Sequence, residues 1–103
     1  MSFLGELRVS SLSYDQIGEI CEMAEEAARR TILSRVPSRG ISDLSISVAS
    51  DGTETLAVEV EVEISLSPLF RNVDAKKLTE ESVEAAFGAI EKHLREIGCQ
   101  YER

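Results

Sequence analysis

The sequence has little of what catalytic and metal sites are built from. Its 103 residues include one histidine, two cysteines and no tryptophan. Cys21 and Cys99 lack the CxxC spacing of a zinc site and indicate no disulfide framework, so we expect reduced thiols and a cytoplasmic location. His93, which we expect to point toward solvent, has no paired nucleophile, and no catalytic triad can be assembled within the chain. We therefore expect no cofactor, no metal site and no enzymatic activity, unless an active site forms across a homodimer.

Basic residues and long apolar runs are also scarce. Eleven lysines and arginines stand against 19 acids, for a formal net charge of -8. Broad binding to nucleic acid or to an anionic membrane needs a net positive surface, and this composition argues against both. The N-terminus lacks a basic start followed by an apolar run, and nowhere do eighteen apolar residues follow one another. We expect a chain that is neither exported nor membrane-spanning.

A long alternating segment is the clearest structural signal. From Leu56 to Leu66 every second residue is apolar, and Glu59, Glu61 and Glu63 lie between them. This period is that of a half-buried strand, and the glutamates, roughly 7 Å apart, are too widely spaced to hold one metal ion. We interpret them as a charged sheet face that resists edge-to-edge aggregation. The turn signal Asp51-Gly52 joins this strand in a hairpin to another alternating segment at residues 44–49.

Two amphipathic helices flank the hairpin. Ser13 and Gln16 form a capping-box pattern, which predicts that the first helix begins near Tyr14, and Pro37 and Gly40 end it. Its apolar stripe consists of Ile17, Cys21, Ala24, Ala28 and Ile32. The stripe of the second helix consists of Val83, Phe87, Ile90, Leu94 and Ile97, and Gly98 follows as a terminator.

The order of elements defines the expected fold. Residues 3–10 suit a short strand or a frayed arm, and we expect the tail after Gly98 to fray. Taken as a strand, the first segment gives the order β-α-β-β-α. The sequence therefore predicts a single α+β domain over residues 1–103, with two layers: a three-stranded antiparallel sheet and two helices on one of its faces.

Basic residues are concentrated in two segments. Residues 27–42 hold four arginines and no acid, and residues 67–77 hold three basic residues against Asp74. If the end of the first helix meets the start of the second, they form a local basic patch of Arg29, Arg30, Arg35, Arg39, Arg71, Lys76 and Lys77. The alternative, which we favour, is that arginines at a helix end complement the helix dipole.

The segment VEVEVEISLSPLFRNVDAKKLTEESVEAAFGAIEKHL, preceded by the helix IGEICEMAEEAARRTILSRV, resembles a family of small archaeal proteins long described as of unknown function. In its order of elements and its strand-to-helix join, it is similar to the small Pcc subunit of KEOPS, the complex that makes threonylcarbamoyl-adenosine in transfer RNA. The resemblance covers nearly the whole chain. It implies a non-catalytic accessory subunit whose three strands pair with a related partner, as a homodimer or heterodimer that docks the catalytic subunit.

No active-site residue is carried over by this resemblance. It implies instead an interface role for the hairpin and the second helix, around Leu66, Leu69, Phe70, Val83 and Phe87. Leu69 and Phe70 also suit a plug at the end of a two-layer core. The alternating strand, long for a small domain, could extend into the sheet of a partner.

Two other functions stay open. The first is a small nucleic-acid-binding module with a KH-like fold, which would use the arginine-rich end of the first helix. A KH domain needs a GxxG loop between helices, and the sequence has none. The second is a protein-interaction domain with a different role.

Overall fold

Four strands and two long helices make up the fold. The computed structural model describes residues 1–10, 12–52, 55–70 and 72–103. In chain order the elements are β1 (Ser2–Ser10), α1 (Tyr14–Arg35), β2 (Ile41–Asp51), β3 (Thr55–Leu66), α2 (Ala75–Glu96) and β4 (Tyr101–Glu102). Single turns of 3₁₀ helix at Ser38–Gly40 and Pro68–Phe70 lead into β2 and toward α2.

The sheet has four antiparallel strands in the order β2-β3-β1-β4, so the expected three-stranded sheet is wrong, and so is the expected order β-α-β-β-α, which lacks the strand after α2. The missing strand comes from the tail, which we expected to fray. Gly98 reverses the chain with φ +71°, and the Cys99 N–H donates to the Leu94 carbonyl at 2.9 Å. Tyr101 then pairs with Val9 and packs partly buried against the core. Two residues are too few to show a period in the sequence, so only the tertiary contacts reveal this strand.

Strand β1 lies inside the sheet, which settles the choice between a strand and a frayed arm. It pairs with β3 from Ser2 opposite Glu63 to Ser10 opposite Thr55 without a register shift. Leu7 and Val9 point into the core, whereas Leu4, on the other parity, is 57% exposed. Residues 3–10 therefore form a paired strand within the sheet and not a frayed arm.

One face of the sheet carries both helices, as expected. The even-numbered residues of β3 from Leu56 to Ile64 are at most 5% exposed, while Glu59 and Glu63 between them face solvent. The buried set includes Val60 and Val62, both fully covered. The period-two pattern of β3 thus separates a helix-covered face from an open acidic face.

The helices run antiparallel to each other. Arg35 at the end of α1 approaches Glu81 in the first half of α2, and Glu19 near the start of α1 approaches His93 near the end of α2. The predicted capping box is confirmed, because Gln16 N–H donates to the Ser13 hydroxyl and the Ser13 N–H donates to the Gln16 side chain.

The buried stripe of α1 is rotated from the predicted one. Its fully covered residues are Ile20, Ala24, Ala28 and Ile32, whereas Ile17 and Cys21 are only partly buried. Ile20 lies four residues before Ala24 on the buried stripe, whereas the predicted stripe placed Ile17 and Cys21 before Ala24 and left Ile20 out. In α2, Val83, Phe87, Ile90 and Leu94 are buried as predicted, but Ile97 is 40% exposed beyond the last helical residue.

A glycine in β1 allows α2 to approach the sheet closely. A Cβ atom on Gly5 would lie 2.4 Å from Cε2 of Phe87 and 3.0 Å from Cγ1 of Val83. Phe87 is the largest fully buried side chain. The absence of a side chain at Gly5 therefore makes room for the ring of Phe87 against the strand.

We predict that Gly5→Ala destabilises the fold by about 1–3 kcal/mol, because the added methyl group overpacks a filled core. Gly88→Ala is the matched control, since a Cβ there meets nothing within 4 Å. It lies within α2 and should stabilise the protein by about 0.5–1 kcal/mol. Urea unfolding of both variants measures the two effects, and equal stability of the two proteins would contradict the packing explanation.

Candidate protein interface

Strand β2 forms one edge of the sheet along its full length. Its eleven residues, Ile41–Asp51, pair with β3 on one side, and no other described strand pairs with them on the other side. The edge carries serines and two acids, and it has no lysine and no proline. Those are the residues by which many proteins block an exposed edge, so β2 presents a free row of backbone donors and acceptors.

The side chains of β2 that face the helix layer are incompletely covered. Ile46 is half-buried, while Val62, directly across from it on β3, is fully buried. Because β3 has strands on both sides and β2 does not, the uncovered part of these side chains lies toward the sheet edge. We call this half-covered set the β2 apolar row; it consists of Leu44, Ile46 and Val48.

The residues proposed for an interface from the sequence separate into two groups. Leu69 is 87% exposed in the 3₁₀ turn before α2, and Leu66 is partly buried at the end of β3. Phe70 is also partly buried and lies over Gly40, where a Cβ would come within 2.7 Å of its ring. Val83 and Phe87 are 0% and 2% exposed, because they are covered within this chain, the Phe87 ring in part by Arg103.

Only part of the expected basic patch comes together, and acids pair with three of its arginines. Arg29 donates to Glu25 at 2.7 Å, Arg30 pairs with Glu26, and Arg35 Nη2 lies 3.0 Å from Glu81 Oε2, outside hydrogen-bond angles. Arg35 and Lys77 line the same shallow depression, so the ends of the two helices meet as supposed. Lys76 and Arg39 are exposed, and Arg71 lies outside the described residues. These ion pairs reduce the positive charge available to phosphate groups.

The open face of the sheet is acidic. Glu6 of β1 lies directly opposite Glu59 of β3, and Glu61 and Glu63 follow on the same face. Like charges opposite each other cost stability in a sheet.

In the described part of the chain, no three histidine, cysteine or acidic side chains come together as metal ligands would.

The remaining reactive side chains lie between elements. The expectation that His93 points toward solvent is wrong, because its side chain is only 18% exposed. Its Nε2 lies 3.6 Å from Glu19 Oε2, which is too far for a hydrogen bond. Burial raises the pKa of the Cys21 thiol, which favours its protonated form. The Sγ of Cys99 lies 3.1 Å from the Ser10 hydroxyl oxygen, beside β4.

In the described ranges, neither helix is long and apolar enough to cross a membrane.

This architecture defines a class of small α+β proteins with a four-stranded antiparallel sheet and two helices on one of its faces. Residues 9–93 match the family described as "Protein of unknown function (DUF3194)", and the chain belongs to that family. An uncharacterised protein of Thermococcus kodakarensis is 34% identical over 86 residues, which cover 84% of this chain and 79% of that protein. One of Pyrococcus furiosus is 30% identical, with 84% and 77% covered.

Solved structures share the fold. A crystal structure from Thermococcus onnurineus NA1 superposes with a TM-score of 0.79 at 31% identity, covering 95% of this chain and 96% of that one. The solution structure of a hypothetical protein from Methanothermobacter thermautotrophicus gives a TM-score of 0.71 at 28% identity, with 82% and 91% covered. The fold described above is thus similar to the folds of two proteins of known structure.

We predict opposite results for two of the apolar residues singled out in the sequence. Phe87→Ala should destabilise the fold by about 3–5 kcal/mol, because it leaves a cavity under β1. Leu69→Ala should change stability by no more than about 0.5 kcal/mol, since its side chain is mostly in water. Thermal and urea unfolding check both, and a large loss from Leu69→Ala would mean that this side chain packs within the fold.

Proposed function

We propose that this chain is a non-catalytic accessory subunit that pairs with a related subunit through the edge of β2, within a KEOPS-like complex that makes threonylcarbamoyl-adenosine in transfer RNA. The observation that carries the pairing is the unblocked β2 edge together with the β2 apolar row. The assignment to such a complex rests on the resemblance of residues 17–36 and 58–94 to the small Pcc subunit of KEOPS.

Pairing at β2 satisfies two requirements at once. A second antiparallel strand would bind the free backbone donors and acceptors of Ile41–Asp51 and join two four-stranded sheets into one. The helix layer of the partner would then lie beside α1, over the uncovered side of the β2 apolar row. Backbone hydrogen bonds give such a pair its alignment, and the apolar row adds buried area.

Charge favours a related chain with a different surface over an identical one. Both copies in a homodimer would bring a formal charge of -8 and the same acidic sheet face into one continuous sheet. Repulsion between like-charged surfaces slows association and weakens it at low salt. A related subunit of lower acidity avoids this cost, so the proposal favours a heterodimer.

Direct contact with RNA has a small part in this proposal. Ion pairs occupy three of the arginines in the basic patch, and the open sheet face is acidic. Chemistry and most RNA contacts would belong to other subunits. Arg39 and Lys76, exposed near the junction of the helices, are the residues here best suited to a local phosphate contact.

We predict that Ile46→Lys weakens capture of the related subunit at least about tenfold, because pairing would bury an ammonium group among apolar side chains. Ser65→Lys is the matched control: it adds the same charge at an exposed position of β3, which is not an edge strand. The measurement is affinity capture from cells that co-express the tagged chain with the KEOPS subunits, followed by light scattering on a sizing column.

Thermal unfolding of both variants alone confirms that each chain still folds. If the wild-type chain elutes as a lone monomer and captures no subunit, the proposed function is wrong. If it pairs with itself but captures none of the subunits, edge pairing stands and the assignment to the complex falls. Losses of equal size from Ile46→Lys and Ser65→Lys, or wild-type capture by Ile46→Lys, would show that β2 is not the pairing edge.

A further inference from the structure

The second sheet edge carries an occupied site for a guanidinium group. Arg103, just past β4, donates to Glu84 at 2.7 Å and to Glu91 at 2.8 Å, and its guanidinium carbon lies 5.1 Å from the centre of the Phe87 ring. We call Glu84, Glu91 and Phe87 the arginine seat. Two carboxylates and an aromatic face together match the planar fork of an arginine. The hydrogen bond that Arg103 donates to Glu84 is the largest of the influences that raise the pKa of Arg103 above its ordinary value.

Beside this seat, most of the outer edge of β1 is free. The Ile64 N–H donates to the Met1 carbonyl, so the odd-numbered residues of β1 bond to β3 and the even-numbered ones point outward. At the far end of β1, the Ser10 N–H donates to the Gln100 carbonyl, and Arg8 pairs with Glu102 of β4. Among the described residues, no strand pairs on this side with Ser2, Leu4 or Glu6, whose backbone groups are thus available.

Strand β4 shows how a chain segment lies on this edge. Its register places Tyr101 opposite Val9 and Glu102 opposite Arg8, and the next position, Arg103, falls opposite Leu7 on the helix-covered face. That is the face on which α2 holds the arginine seat. An extended segment that pairs with β1 in this register would therefore place the residue opposite Leu7 at the arginine seat, and that seat favours an arginine.

We propose that the outer edge of β1 accepts an extended basic segment of a partner protein, whose arginine replaces Arg103 in the arginine seat. Beyond that arginine, the segment continues along the free edge past Glu6 and Leu4. Strand β4 and Arg103 occupy the start of this site in the isolated chain and compete with the partner. This inference concerns the edge opposite to β2 and does not depend on the proposed function.

The chemistry of the segment follows from the side chains it would meet. The residue opposite Glu6 lies on the acidic open face, where a lysine is favoured. The next residue lies opposite Gly5, against which the Phe87 ring packs, so a small apolar side chain suits this position beside the ring. The residue after that lies opposite Leu4, which is 57% exposed and gains from an apolar neighbour. The two seat carboxylates against one arginine leave an excess of negative charge to attract a basic segment.

The test uses the full chain and a synthetic peptide, acetyl-Tyr-Glu-Arg-Lys-Val-Leu-Val-amide, which reproduces residues 101–103 and continues along β1. A control peptide carries glutamate in place of its arginine. Both are titrated into wild type, Arg103→Ala and the double variant Glu84→Gln, Glu91→Gln. Amide chemical shifts give the affinity, and hydrogen exchange at Leu4 and Glu6 reports strand addition.

We expect the arginine peptide to bind Arg103→Ala about tenfold more tightly than wild type, because the competing side chain is gone. It should also bind Arg103→Ala at least about tenfold more tightly than the glutamate peptide does, and it should protect the amides of Leu4 and Glu6. The double variant should lose the preference for arginine while its thermal unfolding stays cooperative.

Three results would overturn the proposal. The first is that neither peptide protects the Leu4 and Glu6 amides of Arg103→Ala at millimolar concentration. The second is equal binding of the two peptides, which would leave the seat without a role. The third is self-association of Arg103→Ala with protection at the same amides, which would make a second copy the occupant. Shifts confined to β2 count as the first result and leave β2 pairing untouched.

Discussion

Strand β3 lies between β2 and β1, and its strict alternation decides which side of every strand faces the helices. Its even-numbered residues are buried under α1 and α2, and its glutamates point the other way. A shift of one residue in the pairing with either neighbour would move that neighbour's apolar residues to the open face. The position of Phe87 against Gly5, and hence of α2 over β1, depends on this register.

The same register leaves two edges of different character. At β2 the edge is long, free of lysine and proline, and bordered by half-covered apolar side chains. At β1 the edge is partly filled by β4 and is bordered by carboxylates of α2 that hold Arg103. An acidic open face between them disfavours sheet-to-sheet stacking. In the part of the chain that the structure describes, the edges are therefore where apolar side chains and unpaired backbone groups are accessible together.

Much of the fold could be predicted, but less of the candidate interface. The capping box at Ser13 and the alternation of β3 are local patterns, and both are confirmed. Phe87 and Val83 were assigned correctly to the apolar stripe of α2, yet a stripe does not reveal whether its cover is this chain's own sheet or a partner. The structure shows that β1, through Gly5, covers them. No pattern in the sequence indicated that Arg103 binds α2, because its partners Glu91 and Glu84 lie 12 and 19 residues earlier in the chain.

By itself the sequence determined the types of the long elements, the order of β1, α1, β2, β3 and α2, and the acidic character of one sheet face. These follow from periodicity, caps and turns, which act over a few neighbouring residues. Only the tertiary structure decided that the tail adds β4, that Ile20 joins the core, and which edges stay open. Those outcomes depend on pairings between distant segments. The two-residue strand β4, for example, is held by its pairing with β1 and by the hydrogen bonds that Arg103 donates to α2.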